Sequence, residues 1–272
     1  MKLGIDMGGM SIKMGLVNEE NKIIGRITIP TDLTVPYQTL VERMADAVRQ
    51  MLENAGMTLE QCGGIGIGSP GTIDAKQGVI LYSNNFGWEN VPIVEELKKH
   101  LDTRIEIAND ADAAALGEVC AGAAEGAENA VLLTLGTGVG SGVILDKKIF
   151  RGAMPGGCEL GHLSIRYDGI RCTCGRKGCL EAYASASALL RIAREKAAEH
   201  PESIMNEMCG NDLEQMNGKI PFDAAKAGDE AGMETVKEYE GYLACGIANV
   251  INTFRPEKVI LGGGVAAQKD NL

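Results

Sequence analysis

The sequence is short of positive charge: 26 lysines and arginines stand against 37 aspartates and glutamates, a net charge of −11 at neutral pH. Such an acidic chain is a poor partner for nucleic acid or for an anionic membrane surface. No apolar run reaches the ~20 residues of a membrane span, and the opening MKLGIDMGG lacks the long apolar core of a signal peptide. We therefore expect a cytoplasmic protein that binds neither nucleic acid nor membranes and that meets phosphate ligands through backbone amides and metal ions.

Histidine is also scarce, with three residues, and one of them lies close to three of the eight cysteines. His162, Cys172, Cys174 and Cys179 follow the spacing H-x9-C-x-C-x4-C, and one imidazole with three thiolates matches a closed tetrahedral Zn²⁺ site. The alternative is a chance cluster of reduced thiols, which this concentration of ligands makes the weaker interpretation. The other cysteines are scattered, so a reducing compartment fits better than a disulfide framework.

Two acidic residues flank the predicted zinc loop. Glu159 lies three residues before His162, and Glu181 lies two residues after Cys179. This arrangement predicts that the zinc is structural, because the loop would hold two carboxylates and an imidazole in fixed positions around a ligand.

The chain of 272 residues, long enough for two domains, contains one pattern twice. Strand, glycine-rich turn, strand, turn and strand are predicted over 2–30 and again over 130–150. A repeat at this separation indicates two related α/β domains that face each other across a cleft. We place a small N-terminal domain at 1–115 and a larger domain with the zinc site at 116–272. Further strands are predicted at 64–68, 104–108 and 258–261, and helices at 36–54, 91–101, 111–121, 185–227 with breaks, and 229–254.

Three glycine-rich turns, each after a predicted strand, could bring backbone N–H groups close to phosphate oxygens. They are Gly8-Gly9, Gly136-Thr137-Gly138 and Gly262–Gly264. None is a Walker A loop, and one such turn alone could be a simple hairpin, but three in an α/β repeat favour phosphate binding. Beside the first turn, Asp6 could hold Mg²⁺ directly or through water. Lys13 could meet a phosphate or face solvent.

Asp110 is the candidate general base. It follows a predicted buried strand, Asn109 beside it offers an amide for a hydroxyl group, and a carboxylate at the carboxyl end of a strand can accept a hydroxyl proton. The alternative is that Asp110 is only the N-cap of the next helix, and spacing alone favours the cap. Asp112 has the same ambiguity. Acids and amides that converge on a cleft suit a polyhydroxylated ligand.

Seven motifs along the chain resemble the ROK sugar kinases, and most closely their bacterial glucokinase branch. They are GIDMGGMSIK (4–13), GIGSPGTID (66–74), NNFGW (84–88), NDADAA (109–114), LGTGVGSG (135–142), the zinc stretch (156–181) and VILGGG (259–264). The resemblance implies an α/β fold of the duplicated actin/hexokinase type (ribonuclease H-like), with two domains, a structural zinc loop, and ATP and sugar in the cleft. It also implies Mg²⁺ as a cofactor and assembly as a homodimer or homotetramer.

The implied reaction is transfer of the γ-phosphoryl group of ATP to the 6-hydroxyl of a hexose, with glucose as the first choice. Position by position, the resemblance makes Asp110 the catalytic base, His162 both a zinc ligand and a sugar ligand, and Gly263 part of the adenosine motif. The remaining sugar partners would be Asn109, Gly71, Glu159 and Glu181. The remaining nucleotide partners would be Asp6, Gly8, Gly9, Ser11, Lys13, Gly136, Thr137 and Gly138.

The sequence departs from the family pattern at three places. Met10 stands where the family usually has Thr, so Ser11 is expected to supply the hydroxyl, and Asp112 adds an acid where Asn is usual. The family also carries a helical segment after its last glycine motif, which this sequence lacks, so adenine binding and domain closure are expected to be affected.

Other functions of the same family remain open at this point. The acceptor could be another hexose or an N-acetylhexosamine, such as fructose, N-acetylmannosamine or N-acetylglucosamine. Sugar-sensing regulators of the family carry a helix-turn-helix ahead of the kinase-like body, whereas this acidic chain opens at its first strand. A non-catalytic sugar-binding protein would not be expected to keep Asp110 and every phosphate turn.

Overall fold

The computed structural model of the chain describes residues 1–268. Within that range the chain forms twelve strands and nine α-helices in mixed order. The strands are β1 (Lys2–Met7), β2 (Ser11–Val17), β3 (Ile23–Pro30), β4 (Ile65–Ser69), β5 (Thr72–Asp74), β6 (Val79–Ser83), β7 (Trp88–Val91), β8 (Ile105–Asn109), β9 (Ala130–Leu135), β10 (Val139–Leu145), β11 (Lys148–Ile149) and β12 (Lys258–Gly262). The helices are α1 (Tyr37–Asn54), α2 (Ile93–Lys98), α3 (Asp110–Ala121), α4 (Glu181–Ala184), α5 (Ala186–Glu199), α6 (Ile204–Met208), α7 (Ile220–Lys226), α8 (Glu230–Phe254) and α9 (Gly263–Ala266). Short 3₁₀ turns lie at Leu59–Gln61, Leu160–His162 and Leu213–Gln215.

The first compact unit consists of Met1–Glu128 and Gly142–Cys158. Its main sheet has the order β3-β2-β1-β4-β8, in which β1, β2 and β3 are antiparallel and β4 and β8 continue in parallel. Every second residue of β1 is buried, the period expected of a strand with one face on a core. Met44 and Val48 of α1 belong to the same core.

A second, antiparallel sheet of the same unit has the order β5-β6-β7. The sequence predicted only a hairpin through Tyr82, so the strand that begins at Trp88 was not predicted. This strand pairs with β6, and the Trp88 ring at its start lies 4.8 Å from the ring of the buried Phe86.

The second unit consists of Asn129–Ser141 and the described residues from Glu159 onward. β9 and β12 pair in parallel. The long helix α8 begins after Asp229, whose side chain accepts a hydrogen bond from the Gly232 N–H as the sequence predicted. Tyr239 and Leu243 of α8 pack with Leu189 of α5 in a buried cluster.

The predicted internal repeat is present in the sheet order. The four-stranded sheet runs β11-β10-β9-β12, and the first sheet begins β3-β2-β1-β4. In the first sheet β1, β2 and β3 are neighbours, and β4 pairs in parallel with β1. In the second sheet β9, β10 and β11 are neighbours, and β12 pairs in parallel with β9. The domain boundary after residue 115 stays a prediction, and the expectation about a further C-terminal segment lies outside the described residues.

Across residues 1–268, no helix has both the length and the apolar composition needed to span a bilayer. Cys62, Cys120, Cys172, Cys174, Cys179, Cys209 and Cys245 are present as free thiols.

Candidate functional site

The predicted base lies at the junction between β8 and α3. Asn109 ends the strand, and its side-chain oxygen accepts hydrogen bonds from the N–H groups of Ala111 at 2.9 Å and Asp112 at 3.4 Å. This is the N-cap arrangement that satisfies free N–H groups in the first turn of a helix. The interpretation of Asp110 as the cap is therefore wrong, because Asn109 has that role and Asp110 is the first helical residue.

The capping bonds also fix the orientation of the Asn109 amide. Because the Asn109 amide oxygen accepts hydrogen bonds from the helix, the amide Nδ2 lies on the other side and donates to the Gly71 carbonyl at 3.2 Å. Gly71 has φ 116°, and a Cβ at this position would collide with the Tyr82 carbonyl. This bond uses one of the two amide hydrogens, and the Asn109 side chain also hydrogen-bonds the Asp110 carboxylate, which acts against the rise in the pKa of Asp110. In this structure the Gly71 carbonyl orients the Asn109 amide. A contact between Gly71 and the sugar stays a prediction.

The pKa of the Asp110 carboxyl is raised above its ordinary value. The main cause is desolvation by the protein atoms packed against it, and the negative charge of Asp6 adds to the shift. The hydrogen bond that Asp110 accepts from the Ala111 N–H at 3.0 Å acts in the opposite direction. A carboxylate with increased proton affinity is better suited to accept a proton from a hydroxyl group.

Asp6 and Lys13 face each other across the first glycine turn. They are directly opposite in the antiparallel register of β1 and β2, with Lys13 Nζ 3.9 Å from Asp6 Oδ2. Both side chains are well exposed, so the pair leaves them accessible to ligands and contributes little to stability.

The first turn itself is held by hydrogen bonds that the sequence did not indicate. The Gly8 N–H donates to the Ser11 carbonyl at 3.0 Å, and the Thr31 hydroxyl donates to the Gly8 carbonyl at 2.6 Å. The Thr31 N–H also donates to the Met10 carbonyl. Thr31 lies beside the first turn because β3 pairs with β2. No local sequence motif indicates that pairing.

Asp112 lies in the interior beside this junction, with 3% of its surface exposed. It lines a small pocket with Asn109 and Arg151. Gly157, which has φ 68°, lies against the Asp112 carboxylate, since a Cβ there would stand 3.2 Å from its Oδ2. The extra acid expected from the sequence thus lies next to Asn109, and its burial distinguishes it from the accessible Asp110.

The four predicted zinc ligands form one cluster, with ligand atoms within 4.8 Å of one another. Cys172 Sγ lies 3.7 Å from His162 Nδ1, and Cys174 Sγ lies 3.6 Å from Cys179 Sγ. A tetrahedral ion with Zn–S near 2.3 Å and Zn–N near 2.0 Å would separate its ligands by about 3.5–3.8 Å, so the donor set fits Zn²⁺. Because Nδ1 faces the thiols, the Nε2 atom of His162 is left for another partner.

A tight hairpin gives the cluster its shape. The Cys172 N–H donates to the Arg176 carbonyl at 2.8 Å, and the Gly175 N–H donates to the Cys172 carbonyl at 3.0 Å. Gly178 has φ 77°, and a Cβ there would overlap the Arg166 carbonyl. Glycine is therefore required at this position, because any side chain would force the hairpin away from the strand-like segment beside it.

The thiols of the cluster differ in environment. Burial raises the pKa of the Cys179 thiol to about 12, and its hydrogen bond with Cys174 adds to the shift. The hydrogen bond from the Arg176 N–H lowers the pKa of the exposed Cys174 thiol. A bound zinc ion would overcome this difference, since coordination deprotonates thiols.

The two acids that flank the zinc loop are positioned by different elements. Glu159 precedes the 3₁₀ turn Leu160–His162, whose first N–H donates to Ser141 Oγ at 2.9 Å. Glu181 is the first residue of α4, and its Oε2 accepts a hydrogen bond from the Val139 N–H at 3.0 Å. Glu181 therefore belongs structurally to the second glycine turn as well as to the zinc loop.

The second glycine turn is held by hydrogen bonds from the first residues of α5. The Ala186 N–H donates to the Gly136 carbonyl at 2.7 Å, and Ser187 Oγ donates to the Thr137 carbonyl at 2.9 Å. Neither Ala186 nor Ser187 was expected from the sequence, because they lie some fifty residues from the turn. The third turn begins α9 at Gly263, where φ is 88° and a Cβ would collide with the Leu135 carbonyl.

The predicted site residues are thus divided between the two units. Those of the first unit are Asp6, Gly8, Gly9, Ser11, Lys13, Gly71, Asn109 and Asp110. Those of the second are Gly136, Thr137, Gly138, Glu159, His162, Cys172, Cys174, Cys179, Glu181 and Gly263.

The mixed α/β sheets with their repeated strand–glycine turn units are those of the actin/hexokinase class, and the Cys₃His cluster could hold a metal ion. The chain belongs to the ROK family, whose sequence profile matches residues 2–272.

Curated relatives of this family include both enzymes and regulators. The glucokinase of Thermotoga maritima is 37% identical over 265 residues, which are 97% of this chain and 82% of that protein. A xylose repressor of Caldicellulosiruptor bescii is 31% identical over 260 residues, which are 96% of this chain and 65% of the repressor.

Solved structures agree with the predicted fold. A ROK hexokinase from Thermus thermophilus matches with a TM-score of 0.82 and 33% identity, covering 98% of this chain and 82% of that one. A ROK glucokinase from Streptomyces griseus, solved in complex with glucose and AMPPNP, matches with a TM-score of 0.77 and 32% identity, covering 98% and 84%. The α/β, actin/hexokinase-type fold predicted from the sequence is confirmed.

Proposed function

We propose that this chain transfers the γ-phosphoryl group of ATP to the 6-hydroxyl of a hexose, with glucose as the preferred acceptor. ATP-dependent hexose kinase activity is supported by the glucokinase relatives and by the matched structure that holds glucose and AMPPNP. The observation that carries the proposal is the Asn109–Asp110 junction. Because the Asn109 side chain caps α3, the Asp110 carboxylate stays accessible, and the pKa of that carboxylate is raised.

The chemistry assigned to Asp110 is general-base catalysis. As the sugar oxygen forms its bond to the γ-phosphorus, the carboxylate accepts the hydroxyl proton, and the bond from the γ-phosphorus to the bridging oxygen breaks to release ADP. Asn109, held by Gly71 and α3, is assigned to bind a neighbouring sugar hydroxyl through its side-chain amide. A fixed donor and a fixed acceptor in adjacent positions would orient the sugar for in-line attack.

The zinc loop is assigned to sugar recognition. His162, Cys172, Cys174 and Cys179 would hold Zn²⁺, which when bound fixes the loop and the tautomer of the imidazole. With Nδ1 on the metal side, His162 Nε2 carries the proton and can donate to a sugar hydroxyl. Glu159 and Glu181 would accept hydrogen bonds from sugar hydroxyls, which gives hydrogen-bond selectivity for a polyhydroxylated ligand.

The glycine turns are assigned to the nucleotide. The backbone N–H groups around Gly8-Gly9 and Gly136–Gly138 would contact phosphate oxygens, with Ser11 in place of the missing threonine hydroxyl. Asp6 would hold Mg²⁺, whose charge neutralises the phosphates during transfer. Lys13, across from Asp6, would add positive charge, and Gly263 would lie beside the adenosine.

A sugar panel tests the proposal directly. With ATP and Mg²⁺, we expect glucose to give the highest kcat/KM and the 6-phosphate as product, measured by coupled ADP release and by ³¹P NMR. Fructose, N-acetylmannosamine and N-acetylglucosamine test the other acceptors. A regulator that only binds sugar would show sugar affinity without ADP release, and that outcome would overturn the proposed function.

The raised pKa of Asp110 predicts a pH effect with a definite sign. Because desolvation and the charge of Asp6 both favour the protonated form, the acid limb of kcat/KM should lie above the pH at which an exposed aspartate titrates. Asp6→Asn removes the smaller of these two causes and should lower the Asp110 pKa. A ¹³C NMR titration of the ligand-free chain measures this directly. An unchanged Asp110 pKa in that variant would contradict the assignment of Asp6 as its neighbour.

A further inference from the structure

The carboxylate of Glu181 bonds to two separate loops of the second unit. One is the second glycine turn, and the other is the hairpin of the zinc loop. We propose that Glu181 and Thr173 form a positioning link through which the zinc loop controls binding of the nucleotide phosphates. This inference rests on the proposed function, since it assumes that the second glycine turn meets ATP.

The nucleotide end of the link is the bond from the Val139 N–H to Glu181 Oε2, 3.0 Å long. Val139 follows Gly138 directly, and a Cβ on Gly138 would collide with the same carboxylate oxygen. Glycine at 138 is thus needed for Glu181 to reach the turn. A charged acceptor on this N–H gives a stronger bond than a neutral acceptor would, so the end of the turn is held firmly.

The zinc end of the link is Thr173, which lies between two of the metal ligands. Its hydroxyl donates to Glu181 Oε1 at 3.2 Å, and Cys172 Sγ lies 3.6 Å from the same oxygen. These contacts engage both oxygens of the carboxylate. An ionised carboxylate has about four acceptor positions, so the link leaves room for the sugar hydroxyl assigned to Glu181.

The other side of Val139 also packs against a zinc-loop element. A Cβ on Gly161, in the turn that carries His162, would collide with the Val139 carbonyl. The N–H and the carbonyl of Val139 therefore both lie against residues whose positions the zinc loop determines. If the zinc loop shifts, Val139 at the end of the Gly136–Gly138 turn loses its contacts with Glu181 and Gly161. The hydrogen bonds from Ala186 and Ser187 to the turn remain.

The test is Thr173→Val, which removes the hydroxyl and keeps the branched shape. We expect the Kd for AMPPNP with Mg²⁺, measured by calorimetry without sugar, to rise about threefold to tenfold, as for loss of one hydrogen bond. Thr173→Ser keeps the hydroxyl and should bind AMPPNP like the parent chain. Zinc content, measured by mass spectrometry, should stay at one per chain in both variants.

Hydrogen exchange provides a readout that does not depend on nucleotide. In Thr173→Val the amides of residues 136–140 should exchange faster, whereas those of α8, in the same unit, should be unchanged. If AMPPNP binds Thr173→Val and the parent chain equally and exchange is also unchanged, the link is wrong. If Thr173→Val loses zinc, the Glu181→Gln variant is tested instead, in its zinc-loaded form. Unchanged hydrogen exchange at residues 136–140 in that variant would overturn the inference. If the parent chain itself binds no AMPPNP, the proposed function fails instead.

Discussion

Asp110→Asn is expected to lower kcat by roughly 10²–10⁴, the usual contribution of a positioned general base, and to change sugar affinity little. The substitution keeps the size of the side chain and its ability to accept from the Ala111 N–H, but it removes the charge that would accept the proton. Because Asn109 supplies the helix cap, the variant should also keep its thermal stability. Steady-state kinetics, sugar titration and a melting curve measure the three quantities.

The matched control is Asp112→Asn, two residues along the same helix. Asp112 is buried whereas Asp110 is accessible, so the control should cost far less in kcat and should act mainly through stability. Nearly full activity in Asp110→Asn, or a much larger loss in Asp112→Asn, would show that Asp110 is not the base.

Cys174→Ser is the second change with a large expected effect. It removes one of four ligands, so metal affinity should fall by at least the 10–100-fold typical of losing an outer-shell partner, and zinc content should drop below one per chain. Sugar affinity should weaken by about tenfold, or roughly 1.4 kcal/mol, because His162 and Glu181 lose their fixed positions. Melting temperature should fall as well, since metal binding is coupled to folding of the loop.

Cys120→Ser is the control for this variant. Cys120 is an exposed free thiol outside the cluster, so its replacement should leave zinc content, sugar affinity and melting temperature unchanged. Full sugar affinity in a Cys174→Ser chain that has lost its metal would refute the structural role of zinc. Unchanged zinc content would mean that Cys174 is not a ligand.

The sequence by itself determined the candidate metal cluster of His162, Cys172, Cys174 and Cys179, the three glycine turns and the repeated strand units. These features are local. A hairpin such as 172–179 brings its own ligands together, and the alternation of buried residues in β1 is visible in the order of the residues. The same holds for the position of Asn109 and Asp110 at the end of a strand, although spacing alone favoured Asp110 as the cap of α3 and the structure shows that Asn109 is the cap.

Only the tertiary structure decided which groups support these local features. The Val139 N–H bonds to Glu181, 42 residues away, and the Thr31 hydroxyl bonds to Gly8, 23 residues away. Asp6 raises the pKa of Asp110 because the main sheet brings β1 and β8 into the same unit on either side of β4. Such partners are set by sheet order and loop packing. Strand periodicity determines which face of a strand is buried, but it does not specify which distant residue lies beside it.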